Sequence, residues 1–139
     1  MNAISLTAAM SSYTKTLDFY QVFYKAFSSW LVKNEIGSAN VSFLVVYGQK
    51  VEISMTPIYV ERLLGKVDFQ LLIPTEIADQ MARVHLMSVY LTHDQNYGLA
   101  GADGSHIDYI YDADKSEIET YIYKPIIQAF FKHYKVETR

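Results

Sequence analysis

The 139-residue chain contains no cysteine. That excludes disulfide staples, thiolate zinc sites and a cysteine nucleophile, and it fits a reducing compartment. Basic clusters are missing too. The densest positive stretch is 132–135, where His133 and Tyr134 separate Lys132 from Lys135, and 12 basic side chains face 15 acidic ones for a formal charge of −3. Sequence-independent nucleic-acid binding rests on clustered Lys and Arg that neutralise phosphates, so nucleic acid is not an expected partner. No apolar run approaches the ~18 residues of a membrane span. Residues 1–13 lack the basic start and continuous apolar stretch of a secretory signal. The expectation is a cytoplasmic protein without a membrane partner. Proline- or glycine-rich linkers and internal repeats are absent, so residues 1–139 should form a single domain.

What is present is hydrophobic and aromatic. Half of the residues are hydrophobic and 19% charged, the balance of a globular chain, and the 12 Tyr and 7 Phe far outnumber the one Trp. Tyrosine joins an apolar ring to a polar tip, which suits half-buried surfaces and interfaces.

Residues 14–33 place Leu17, Tyr20, Phe23, Tyr24, Phe27, Trp30 and Leu31 at helical spacing, opposite Asp18, Gln21, Lys25 and Ser28. Residues 41–47 and 50–55 read as strands joined at Gly48-Gln49, the second alternating Val51, Ile53 and Met55 with polar neighbours. Thr56-Pro57 opens a short helix closed by Gly65, and residues 67–73 form another strand. Pro74-Thr75-Glu76 starts a buried helix running to Thr92, with Ile77, Met81, Val84, Ser88 and Leu91 as its stripe. A long loop through Gly98, Gly101 and Gly104 leads to a strand at 106–112. A last helix follows, capped by Asp114 or Ser116 with Glu117 placed for a capping box, and interrupted by Pro125 near Lys124. The expected fold is α+β: a small antiparallel sheet of about four strands packed against three main helices.

Four side chains around the long loop, His93, Asp94, His106 and Asp108, supply imidazole and carboxylate, the residue types of a divalent-metal site or of a base with its orienting partner. A small hydrolase or metal enzyme is therefore one alternative, although no recognised metal-ligand spacing is present. Because those residue types also serve as caps and dipole partners, neither a cofactor nor a metal is expected. The glycine loop follows a helix and precedes a strand, the reverse of a phosphate loop. His85 is expected to be a hydrogen-bonded core histidine. No G-x-S-x-G or S-x-x-K nucleophile motif occurs.

Carboxylates and tyrosines interleave at Asp108, Tyr109, Tyr111, Asp112, Asp114, Glu117, Glu119, Tyr121 and Tyr123. Such a surface suits docking on a protein with a basic face. Met55-Thr56-Pro57, the strand at 67–73 with Phe69, Glu76-Ile77-Ala78 with the run to Thr92-His93, and the Tyr-rich 121–134 together resemble plasmid and phage antirestriction proteins of the ArdB/KlcA type. This sequence departs from that family in having Tyr47-Gly48-Gln49 for its Asn-Gly-Gly turn. The resemblance implies a non-enzymatic inhibitor of host restriction, with no catalytic residues to transfer. The leading expectation is thus a protein-binding factor, with the metal enzyme and a structural subunit of a phage particle or homo-oligomer as alternatives.

Overall fold

Ser5 begins the first element: its hydroxyl accepts the Ala8 N–H at 3.1 Å and caps helix α1 (Leu6–Lys33). The helix ends where the Asn34 amide donates to the Trp30 carbonyl at 2.9 Å and Glu35 takes a left-handed φ of 57°. The computed structural model describes residues 5–39, 43–60, 62–100 and 106–135. Among them, seven strands follow α1: β1 (Gly37–Ala39), β2 (Leu44–Val46), β3 (Gln49–Val60), β4 (Arg62–Pro74), β5 (Met81–Thr92), β6 (Tyr97–Ala100) and β7 (Ile107–Ile110). Each pairs antiparallel with the next, so sheet order is chain order, a meander. Tyr47 and Gly48, with φ of 47° and 79°, close the β2–β3 hairpin in the doubly left-handed turn that matches strand twist. A C-terminal helical segment completes the chain: α2 (Lys115–Ile118), a π-helical turn (Glu119–Tyr123) and α3 (Lys124–His133).

Both helical segments cover one face of the sheet. Val51 on β3, Val67, Phe69 and Leu71 on β4, and Val89 and Leu91 on β5 supply its apolar side. Phe19, Phe23, Phe27 and Leu31 of α1 and Ile122, Ile126 and Phe130 of the C-terminal segment close over it. Phe23 lies at the centre, its ring 5.9–6.3 Å from those of Phe27, Phe69, Tyr97 and Tyr123. The opposite face is polar: Glu52, Asp68, Arg83, His85 and Ser88 stand there, with Arg83 on Glu52 at 3.3 Å.

The expected four strands and three helices are corrected to seven strands and two helical segments, and the reasons are local. Residues 74–92 are not a helix. Thr75 and Gln80 close a turn, the Thr75 N–H on the Gln80 carbonyl at 3.2 Å, and β5 follows. A bulge explains the false helical period. Gln70 pairs with His85 and Phe69 with Met87, which leaves Leu86 as the extra residue. Before the bulge the inward residues are Ala82 and Val84; after it they are Met87, Val89 and Leu91. The change of parity turns a period of two into steps that mimic a helix. Residues 56–60 and 62–64 are likewise not a helix but the end of β3 and start of β4, with Pro57 opposite Gly65. β6 occupies part of the expected long loop, while Gly101 and Gly104 lie outside the described residues. The strand expected at 41–47 is reduced to β2, with residues 41–42 outside the described set. Near Pro125 the helix widens: the Lys124 N–H reaches back five residues to the Glu119 carbonyl, forming the π-helical turn just before the residue without a donor.

α1 crosses β4 at a glycine. A Cβ on Gly65 would lie 2.7 Å from Thr16 Cγ2 and 3.1 Å from Met55 Sδ. We predict that Gly65→Ala costs about 1–3 kcal/mol through overpacking. In a Thr16→Ser background, which removes the clashing methyl but keeps the hydroxyl bonded to the Ser12 carbonyl, the cost falls below about 1 kcal/mol. Urea unfolding of the four proteins in this cycle checks it, and equal costs in both backgrounds would contradict the crossing.

Candidate functional site

The interleaved acidic and aromatic residues do not form one surface. β7 carries Asp108 and Tyr109; Ile110 packs on the core, so its neighbour Tyr109 points to the opposite, polar face of the sheet. There the Arg62 guanidinium lies 5.6 Å above the Tyr109 ring, and Tyr111 packs beside it at 5.9 Å with 59% of its own surface exposed. Asp112 has a left-handed φ of 49° and donates its N–H to the buried Asn96 side chain at 3.0 Å. Asp114 and Glu117 face each other in a reciprocal capping box: the Glu117 N–H reaches Asp114 Oδ1 at 2.9 Å, and Glu117 Oε1 accepts the Asp114 N–H at 3.4 Å. Tyr121, on the π-helical turn, is exposed. It lines a cleft of about 560 Å³ with Pro125, Met87 and Leu99. Asp108, Tyr109, Tyr111 and Asp112 thus lie along the β7 margin of the sheet, with the Tyr109 and Tyr111 rings together and Asp108 on the opposite face from Tyr109, while Asp114 and Glu117 form the capping box of α2.

The enzyme alternative required His93, Asp94, His106 and Asp108 to converge. Asp94 and the His106–Asp108 pair make separate contacts, and His93 Nδ1 is buried without a hydrogen-bond partner among the described residues. Asp94 accepts from the Thr92 hydroxyl and bonds Arg62 at 3.0 Å; the Thr92 hydroxyl first, then Arg62, hold its carboxyl below the usual carboxylate range. His106 Nε2 pairs with Asp108 at 3.0 Å. Among the described residues, no three His, Asp or Glu side chains gather to hold a metal.

A Ser-His-Asp trio does occur on the polar sheet face. The Ser88 hydroxyl donates directly to Asp68 at 2.5 Å, and one nitrogen of His85, Nε2, stands 3.0 Å from Ser88 Oγ and 3.4 Å from Asp68. Nucleophile activation needs the imidazole between hydroxyl and carboxylate, using both of its nitrogens. Here the serine proton goes to the carboxylate, so the trio is a surface hydrogen-bond network. His85 is exposed on a strand, not buried in a helix as the sequence had suggested.

The tyrosines sort by depth. Tyr111 and Tyr121 are exposed, while Tyr97 and Tyr123 are core residues. Tyr123, expected on the acidic surface, is instead in the core. Burial first and Glu119 second push its hydroxyl up to about 12, and burial with Tyr123 beside it raises Tyr97 further.

One feature of α1 escaped the sequence reading, which began the helix at residue 14. Leu6, Met10, Tyr13, Leu17, Tyr20 and Tyr24 recur in alternating steps of four and three, a heptad seam along one flank. Tyr20 and Tyr24 pack on the core, but Tyr13, Met10 and Leu6 are 40%, 62% and 77% exposed. The signal was present in the spacing and was obscured by the small residues Ala8, Ala9, Ser11 and Ser12 around it. Among the described residues no helix is long and apolar enough to cross a membrane. No protein-family model, curated protein or solved structure matches this chain.

The two buried tyrosines make stability depend on alkaline pH. In the unfolded chain they ionise near pH 10, whereas in the fold they stay neutral to a higher pH. The folded state therefore binds more protons between the two values, and stability falls as pH rises through that window. We expect urea midpoints to hold steady from neutral pH to about pH 10 and to decline toward about 12. Tyr123→Phe should make the decline shallower without abolishing it, because Tyr97 remains. An unchanged slope in that variant would contradict the assignment.

Proposed function

We propose that this chain is a non-enzymatic protein-binding factor that docks through the free flank of α1. One observation supports the reading above the others: three large apolar side chains, Leu6, Met10 and Tyr13, stand in water in register with a seam that continues into the core. Contiguous exposed apolar surface of this kind marks interaction sites. Magnitude helps to choose the partner. At roughly 200 Å² for a large side chain, these three leave roughly 350 Å² in solvent per copy. Two such flanks across a two-fold axis fall well short of the ~1,200 Å² at which specific interfaces begin. A partner with a groove that wraps the helix on both sides buries more, the mode in which an amphipathic helix lies in an apolar groove. The only charged side chain between Leu6 and Thr16 is Lys15. An inhibitor of a host defence system, the class to which the antirestriction-like segments point, is one form such a factor takes.

The margin of Asp108, Tyr109, Tyr111 and Asp112 supports a second reading, docking on a basic protein surface. Its exposed tyrosine and acidic rim favour electrostatic steering. The two readings separate cleanly. We expect Met10→Glu to abolish recovery of a partner that the wild-type chain captures from cell extract, while Asp108→Asn with Tyr111→Ala leaves it intact. The reverse pattern would favour the β7 margin. Light scattering on the purified chain tests for self-association: a stable dimer lost in Met10→Glu would replace the heterologous partner with a second copy.

A further inference from the structure

The opposite flank of α1 faces the C-terminal helical segment across a groove of about 340 Å³. We propose that this groove binds a small amphipathic carboxylate, an aromatic or short acyl body carrying one anionic head. Its walls are apolar where the two segments meet: Trp30 and Ala26 on α1, Ile118 and Tyr123 across from them, with the Trp30 and Tyr123 rings 5.2 Å apart. Phe27 backs both rings, at 6.0 Å from Trp30 and 5.1 Å from Tyr123. The aromatic wall is therefore held from behind by a fully buried side chain.

Charge selects the head group. Lys33 on α1 and Lys115 on α2 each bring an ammonium to the lining, and Glu119 brings the single carboxylate. The ion pairs between described residues lie on the sheet and its loops, at Arg62–Asp94, Lys66–Asp68, Arg83–Glu52, His85–Asp68 and His106–Asp108. Both groove ammoniums thus remain to meet an anion. The volume sits at the small end of ligand pockets, which start near ~300 Å³, and this favours a body of one ring or a short chain.

The π-helical turn Glu119–Tyr123 builds this wall. A π turn takes up one residue more than an α turn, and each α-helical residue rotates about 100°. Without the extra residue, Lys115 and Ile118 would rotate away while Ile122, Ile126 and Phe130 kept their places in the core. The widened turn lets one segment face the groove at its start and the sheet at its end. Such turns cluster at functional sites.

Trp30 is the one tryptophan of the chain, so its fluorescence reads occupancy directly. Full-length protein would be titrated with 3-phenylpropionate and, separately, with the neutral 3-phenylpropan-1-ol. We expect a saturable change in Trp30 emission with the carboxylate and at least about tenfold weaker binding of the alcohol. Lys33→Glu and Lys115→Glu should each weaken the carboxylate about tenfold. Both lysines lie on exposed positions, so their variants should remain folded, which a cooperative urea transition checks. A carboxylate titration with no saturable change into the millimolar range would overturn the proposal. So would equal affinity for acid and alcohol, or affinity unmoved by both lysine reversals. Met10→Glu lies on the other flank and should leave this titration unchanged, which separates the groove from the docking surface.

Discussion

The packing of Phe19, Phe23 and Phe27 against Phe69 and Tyr97 is the contact through which the other elements acquire their places. A seven-stranded antiparallel sheet has two faces, and here one carries the large apolar residues while the other carries charges and hydroxyls. The apolar face needs a cover, and α1 supplies most of it. Once α1 lies across β4 at Gly65, its two flanks acquire different surroundings. The C-terminal segment closes one of them and leaves a lined groove; the other continues into solvent. The exposed flank and the groove are two consequences of one crossing.

The same crossing bears on how this sheet limits its edges. Residues 52–60 of β3 extend beyond β2, and residues 81–88 of β5 extend beyond β6. Unpaired strand edges invite other strands. Pro57 interrupts the donor row of the first, and the bulge at Leu86 twists the second, which also meets α3 where Val84 and Leu86 approach Ala129. The outermost strands, β1 and β7, are three and four residues long. These devices disfavour association by strand addition.

How much of this could be read from the residues alone differs by element. The aromatic stripe of α1, the hairpin near Gly48, the inward Val51 and Phe69, and the capping box at Asp114 were all visible, because each depends on neighbours a few positions apart. Residues 74–92 carry a helical pattern without being a helix, because the bulge in β5 shifts the inward positions by one. Pro57 was read as a helix start because proline fits there as well as on a strand edge, and only the pairing with Gly65 decides between them. The candidate surfaces were partly legible. Asp108, Tyr109, Tyr111 and Asp112 are adjacent in space, but Tyr121 and Tyr123 depart because a helical turn rotates them toward the cleft and the core. The groove at Trp30 could not be inferred, since its two walls lie some ninety residues apart in the chain.

Chain order has one more consequence, for biosynthesis. Translation completes α1 before any strand exists to receive it. Phe19, Phe23 and Phe27 must wait for β4 and then β6, while Thr16 waits for Gly65. During that interval the nascent chain presents an amphipathic helix with aromatic residues on one side and the seam of Leu6, Met10 and Tyr13 on another. Each strand of the meander, by contrast, finds its partner in the segment made just before it, so the sheet can zip up in step with elongation. Among the described elements, α1 is made before every strand it packs on and is among the last to be satisfied.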